Sequence, residues 1–173
     1  MERSKKWMAV FLVVFLFFVL SGCGGDNTRS GEGQVSSPFW EVQVKSWETT
    51  SSLKSTQSSV QYNGVIQKVE HEQTPSEGMV FLLLDMVVEK KQAGASVFSW
   101  ENVFVEDAEG HRFSRHPNDS FLASYDRQRM KGTSLNFGKN EGYVCFEIPE
   151  ESANGALRLV VLLEQQEHSL EIQ

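Results

Sequence analysis

The chain has 173 residues, with 16 basic and 23 acidic side chains and a net charge of −7. That length suits one domain with a real core. The acidic balance argues against general nucleic-acid binding, and two cysteines exclude a disulfide-stapled miniature fold.

The chain opens with Arg3, Lys5 and Lys6, followed by an apolar run from Trp7 to Leu20. A bilayer crossing takes about 20 apolar residues, so these 14 make a poor span. A basic start, a short apolar helix and small residues after it form a secretory signal peptide. The run closes on Leu20-Ser21-Gly22-Cys23, which resembles the lipobox of bacterial lipoproteins. In that family the cysteine thiol receives a diacylglyceryl group and the signal is cut before it. The resemblance implies a signal peptide over 1–22, lipid attachment at Cys23, and a place on the outer face of the cytoplasmic membrane. An ordinary cleaved signal or an uncleaved anchor, with Cys23 incidental, is the other reading. Gly24 follows the cysteine where Gram-negative inner-membrane retention would want aspartate, and the Gly-Gly-Asp-Asn start leans toward a Gram-positive type of envelope.

From Cys23 onward the chain holds 13 basic and 22 acidic residues, a net −9. Residues 24–38 are Gly, Ser and polar residues without an apolar run, and read as a tether. The domain boundaries are therefore 1–22 for the signal, 23–38 for the lipidated tether and 39–173 for the folded domain.

The folded domain begins near Phe39. Trp40, Val42 and Val44 alternate with polar residues, as on a half-buried strand. The stretch 48–59 is polar and reads as an exposed loop. Strand pattern returns around a turn at Asn63-Gly64. Met79 to Lys90 is the strongest strand, with Val80, Leu82, Leu84, Met86 and Val88 on one face and Phe81, Leu83 and Val87 on the other. Apolar residues on both faces predict a central strand covered on both sides. Asp85 is its odd member and is placed near a sheet rim. Residues 99–115 read as strand, turn and strand around Asp107–Gly110, and 118–126 as one or two helical turns capped at Asn118 or Asp119. Further strands run through 142–150, 156–165 and 168–173, with Pro149 ending the first, since proline cannot donate to a ladder. Short strands between turn signals, with at most one short helix, predict an all-β, immunoglobulin-like antiparallel sandwich.

The segments "VFLLLDMVVEK", "NVFVEDAEGHRF" and "LNFGKNEGYVCFEIPEE…ALRLVVL" resemble the telokin-like, immunoglobulin-type domain of unknown function found in Gram-positive lipoproteins. Asp85, Asp107, Gly110, Gly142 and Phe146-Glu147-Ile148-Pro149 fit that pattern. Lys90-Lys91 stand where the family has an asparagine. The resemblance covers about 60–172 and implies the sandwich fold, with no common activity and no catalytic residues to carry over.

Chemistry-bearing motifs are sparse. Gly132–Asn136 lacks the second glycine of a nucleophile elbow. His71, His111 and His116 lie outside any HExxH or cysteine-pair pattern, so no metal and no cofactor is expected. Trp40, Trp47 and Trp100 are read as core rather than as a sugar-stacking platform. Cys145, on a strand-like run, is read as a buried, inert thiol.

One stretch departs from the background. Residues 111–131 hold Arg112, Arg115, Arg127, Arg129 and Lys131, five of the 13 basic residues after the signal, against Asp119 and Asp126. With His116 these form the candidate contact with an anionic surface, since the arginine fork suits phosphate. A solvated loop with screened charges is the competing reading.

The function expected is a non-enzymatic interaction module, held to the membrane by lipidated Cys23, with an envelope protein or an anionic wall polymer as partner. The alternative is a small-ligand or ion-binding lipoprotein serving an envelope transport or sensing system. Oligomeric state is left open.

Overall fold

Apolar residues on both faces of one strand demand two coverings, and the fold is organised around that demand. In the computed structural model, residues 29–130, 134–135 and 138–173 are described. Their strands are β1 (Arg29–Ser36), β2 (Trp40–Thr50), β3 (Leu53–Val60), β4 (Ile66–Gln73), β5 (Met79–Lys90), β6 (Phe98–Ser99), β7 (Val103–Glu106), β8 (Arg112–Ser114), β9 (Ser134–Leu135), β10 (Lys139–Pro149), β11 (Arg158–Leu163) and β12 (Gln166–Glu171). One sheet has the order β1-β2-β5-β10 and the other β12-β11-β7-β8, antiparallel throughout. The chain alternates between sheets from β5 to β7, β8 to β10 and β10 to β11, as immunoglobulin-like sandwiches do. The expected all-β sandwich is therefore present. Among the described residues no helix is long and apolar enough to cross a membrane.

The inward face of β5 (Val80, Leu82, Leu84, Met86, Val88) meets Val103 and Val105 of β7 and Leu159, Val161 and Leu163 of β11. Its outward face, Phe81 and Leu83, is covered by Leu53, Leu122, Phe121 and Tyr125, with Cys145 and Tyr143 of β10 alongside. Burying each such aliphatic or aromatic side chain contributes about 1.5–3 kcal/mol. Most of the second covering comes from a 3₁₀ helix, Asp119–Tyr125. The helical turns expected at 118–126 are thus real, in tighter 3₁₀ form. Asn118 stands at the N-cap position, but its side chain makes no capping bond.

The strand β2 carries Trp40, Val42 and Val44 inward, as its alternation predicts. A bulge between Val44 and Ser46 then shifts the parity by one, so the odd-numbered Trp47 also points into the core. The three tryptophans of the domain are 1%, 4% and 5% exposed, which makes them core.

Two expectations are corrected. The composition of 24–38 predicts a tether, yet Arg29–Ser36 is strand β1, paired with β2. Its physical basis is packing rather than composition. Val35 rests on the core, and Gly33 leaves room for Leu170 of β12, whose Cδ1 would lie 1.9 Å from a Cβ at that position. Residues 23–28 lie outside the described residues. The polar stretch 48–59 reads as a loop, but β2 continues to Thr50 and β3 follows, paired along its length with β4. The serine-rich β3 forms there because the turn at Asn63-Gly64 closes its hairpin with β4: Gln61 C=O accepts from Gly64 N–H at 2.8 Å.

The turn at Asp107–Gly110 is present, and β10 stops at Pro149 as expected. The outer edge of β10 is not bare. His116 N–H donates to Cys145 C=O (2.7 Å), Tyr143 N–H to Gln128 C=O (2.7 Å), and Met130 N–H to Tyr143 C=O (2.9 Å). Gly142 permits that crossing: a Cβ there would meet Gln128 O at 2.5 Å and Met130 N at 2.7 Å, and its φ of +148° disfavours other residues.

Candidate functional site

Between β8 and the 3₁₀ helix lies a hollow of about 480 Å³, bordered by Trp100, Ser114, Arg115, His116, Asp119 and Arg129. Its floor is made by charge pairing. Asp119 is buried, and its Oδ2 accepts from Arg115 Nε at 2.8 Å while its Oδ1 accepts from Arg129 Nη1 at 3.3 Å. Arg115 also donates to Met130 C=O (2.7 Å) and lies 4.6 Å over the Trp100 ring. A buried carboxylate needs such partners, since desolvation penalises an unpaired charge heavily. Trp100 Nε1 is buried and meets no acceptor among the described residues, an orphan that most buried donors avoid.

His116 stands beside the hollow with its ring fixed on two sides. Asn118 N–H donates to its Nδ1 at 3.2 Å, which leaves Nε2 to carry the proton of the neutral ring and face Glu147 Oε2 at 3.6 Å. Phe81 and Phe121 pack edge-on against it. Glu147 in turn accepts from Ser76 N–H (2.6 Å), and the bonds from Ser76 hold its carboxyl below the usual range.

The fold thus brings Arg115, His116 and Arg129 together, sets Arg127 beside Arg129, and places Arg112 apart. Arg127 lies against β2, donating from Nε (3.0 Å) and Nη2 (2.7 Å) to the buried Glu48, with its guanidinium 5.2 Å from the Tyr143 ring. Arg112 is on the other sheet. Its Nε donates to Glu106 at 2.7 Å and its Nη2 to Glu167 at 2.8 Å. Glu106, buried, also accepts from Arg158. The hydrogen bonds from Arg158 and then Arg112 hold the Glu106 carboxyl below its ordinary range, against the opposing effect of burial. Lys131 and Cys23 lie outside the described residues.

The arginines of 111–131 read as a candidate anionic contact or as a solvated loop, and in this geometry they are met by acids. The stretch is positive in sequence, but Glu48 and Glu167 come from distant strands, and Glu106 from the facing strand of the same hairpin, to meet its arginines. Sequence reasoning missed Glu48 and Glu167 because they stand 79 and 55 residues from Arg127 and Arg112, whereas Glu106 is six residues from Arg112 across the turn. No local spacing announces the distant pairs.

Asp107, Glu109 and His111 can bring ligand atoms within 4.8 Å of one another. The Asp107 oxygens are already engaged. They accept from the N–H groups of Glu109 (3.1 Å) and His111 (2.8 Å), from Ser152 Oγ (2.9 Å), and they face His111 Nδ1 at 3.1 Å. Burial opposes ionisation, yet these bonds outweigh it and keep the carboxyl below its ordinary range. The arrangement is a turn lock, and it leaves little for an ion to bind. Asp85, the odd carboxylate of β5, is partly exposed and sits opposite Tyr143 and Ser46 in the sheet. Cys145 is fully buried, and burial pushes its thiol far above the ordinary range.

No protein-family model and no curated protein matches the sequence. Solved structures match the fold. A conserved hypothetical protein from Bacillus anthracis is 14% identical with a TM-score of 0.53, covering 86% of this chain and 97% of that one. A functionally unknown protein from Listeria monocytogenes EGD-e is 8% identical with a TM-score of 0.53, covering 86% and 88%. A Bacillus subtilis protein described as a candidate lipoprotein is 12% identical with a TM-score of 0.48, covering 84% of this chain and 39% of that one, a likeness too distant to carry an argument. At these identities the likeness establishes a shared β-sandwich architecture, and fold alone does not assign function.

Proposed function

We propose that this chain is a lipid-anchored, non-enzymatic interaction module on the outer face of the cytoplasmic membrane, with an envelope protein or an anionic wall polymer as its partner. The observation that carries the reading is Leu20-Ser21-Gly22-Cys23, set directly after a basic start and a 14-residue apolar run. One acyl chain holds a protein only marginally and two or more anchor it stably, so the modification would decide where the domain works. The non-enzymatic part is supported by the role each candidate group already has: Asp107 locks a turn, Asp119 and Glu48 neutralise arginines, and Cys145 is sealed in the core.

The test is Cys23→Ser in the native host. The unmodified chain should fractionate with membranes and carry a diacylglyceryl adduct by mass spectrometry, and the variant should be released. Cross-linking of whole cells should recover a partner from the anchored chain and lose it in the variant. A chain that stays in membranes without its cysteine overturns the anchor, and an anchored chain with no cross-linked partner or wall polymer overturns the module.

The hollow beside Trp100 favours a second reading, a site for a small anion with an acceptor placed for Trp100 Nε1. Saturable thermal stabilisation of the soluble domain by carboxylate or phosphate compounds, lost in Arg129→Gln, would support it.

A further inference from the structure

The strands β3 and β4 form a two-stranded ribbon that leaves the body of the protein. Leu53 is buried against Phe81 and Leu83, but from Thr56 to Glu72 every residue is exposed. A polar ribbon would suit such a position. This one instead gathers its apolar residues at the tip: Val60 is 75% exposed, Ile66 64%, Val65 56%, and Tyr62 is fully exposed. Val60 and Ile66 are direct cross-strand partners and so share one face. Among the described residues, all but one of the exposed large apolar side chains belong to this ribbon. Clusters of this kind on an otherwise polar surface mark binding sites.

Charge and topology indicate what the tip meets. The domain is acidic overall, yet residues 55–69 contain no acidic side chain and one cation, Lys68. Glu70 and Glu72 stand toward the base, where Glu72 pairs with Lys54. An acidic protein is repelled by an anionic bilayer, and a tip free of carboxylates is the part of it that can approach. Tyrosine with a few aliphatic residues is also the composition that settles at the membrane–water interface.

The topology places the ribbon at the anchor's end of the sandwich. Arg29 of β1 is the register partner of Trp47, and β2 runs on from Trp47 to Thr50 and into β3. The ribbon's base and the point where the chain enters the domain therefore lie at one end. Six Cα steps separate Cys23 from Arg29, a span of at most about 20 Å. A strand of eight residues measures about 26 Å. The ribbon is thus long enough to reach a bilayer to which Cys23 is joined.

We propose that the tip formed by Val60, Tyr62, Val65 and Ile66 inserts into the interface of the bilayer that carries the anchor, as a second, non-covalent contact that fixes the tilt of the domain. This inference rests on the anchoring reading above. It goes beyond that reading in naming the lipid surface as the tip's occupant.

The experiment is Tyr62→Trp in the full chain, purified from membranes and reconstituted in vesicles of phosphatidylglycerol and phosphatidylcholine with brominated acyl chains. Trp40, Trp47 and Trp100 are buried, so the difference from the parent chain reports the new indole. That indole should shift to the blue and lose at least half of its emission against unbrominated vesicles. Adding Val60→Ser and Ile66→Ser should restore a solvent-like spectrum while the protein still floats with the vesicles. An unquenched indole on a floating protein overturns the insertion alone. A chain that does not float defeats the anchor, and the insertion with it. A blue shift that follows protein concentration and ignores bromine means that a second copy covers the tip, which also overturns the proposal.

Discussion

The strand β5 and the β3–β4 ribbon are built from the same backbone geometry and are opposite in their surroundings. β5 has neighbours on both edges and side chains packed on both faces, so Phe81, Leu83, Leu82 and Leu84 are all at or below 1% exposure. The ribbon is an isolated pair with solvent on both faces. Isolated two-stranded hairpins are marginal in water. Within one chain, then, β5 draws its stability from packing on two sides. The ribbon has only its own ladder, its turn and the foothold of Leu53. The difference teaches that apolar residues mean different things in the two places: in β5 they are the cause of the fold, and at Val60 and Ile66 they are a surface that folding leaves open.

The largest expected effect that would test this contrast is Phe81→Ala. It empties the outer covering of β5 and should cost about 3–5 kcal/mol in chemical denaturation. Gly142→Ala should come next. The left-handed backbone alone costs on the order of 1–3 kcal/mol, and the new Cβ would press on the backbone of 128–130, so the hydrogen bonds of Tyr143 to that segment should lose their exchange protection. Acid offers a smaller, graded effect. Bonds from Lys139 and Lys45 hold the Glu141 carboxyl down to about 2 from an ordinary 4.5, and Glu106 and Glu147 are lowered in the same sense. These carboxyls stay ionised in the folded chain where the unfolded chain has taken up protons. Their contribution is therefore present above pH 4.5 and is lost as the pH falls from there toward 2, and a pH series of melting temperatures should decline across that window. The smallest effect belongs to the ribbon: Val60→Ser with Ile66→Ser should change stability by less than about 0.5 kcal/mol, as exposed sites do. A large loss there would mean that the ribbon's apolar tip is structural, which would erase the contrast.

What the sequence discloses follows the same division. Periodicity exposes β5, the first half of β2 and the strands around Cys145 and Val160, because in each case burial imposes the pattern directly. Turn chemistry exposes Asn63-Gly64 and Asp107–Gly110. Periodicity cannot expose β1, whose glycine and serine residues are fixed by a neighbour's edge and by Leu170 lying over Gly33. It also fails at β3, which has one buried residue in eight, and at Trp47, whose facing depends on a bulge. The candidate site divides likewise. Arg115, His116 and Arg129 are close in sequence and meet in space. Their relation to Trp100, and the distant acids Glu167 and Glu48 that meet Arg112 and Arg127, depend on strand pairings that no short stretch contains, whereas Glu106 faces Arg112 across the Asp107–Gly110 turn.

The crossing of residues 115–130 over the outer edge of β10 bears on how the protein keeps company with itself. An open edge presents a row of unmatched donors and acceptors to which any extended chain can add. Here that row is already answered by His116, Gln128 and Met130. For a domain held at a surface, copies collide in two dimensions with their edges at similar heights, a setting in which sheet-to-sheet polymerisation would be swift. The strap across β10 removes one template for it, so if the proposed anchoring holds, crowding at a membrane need not become fibre formation.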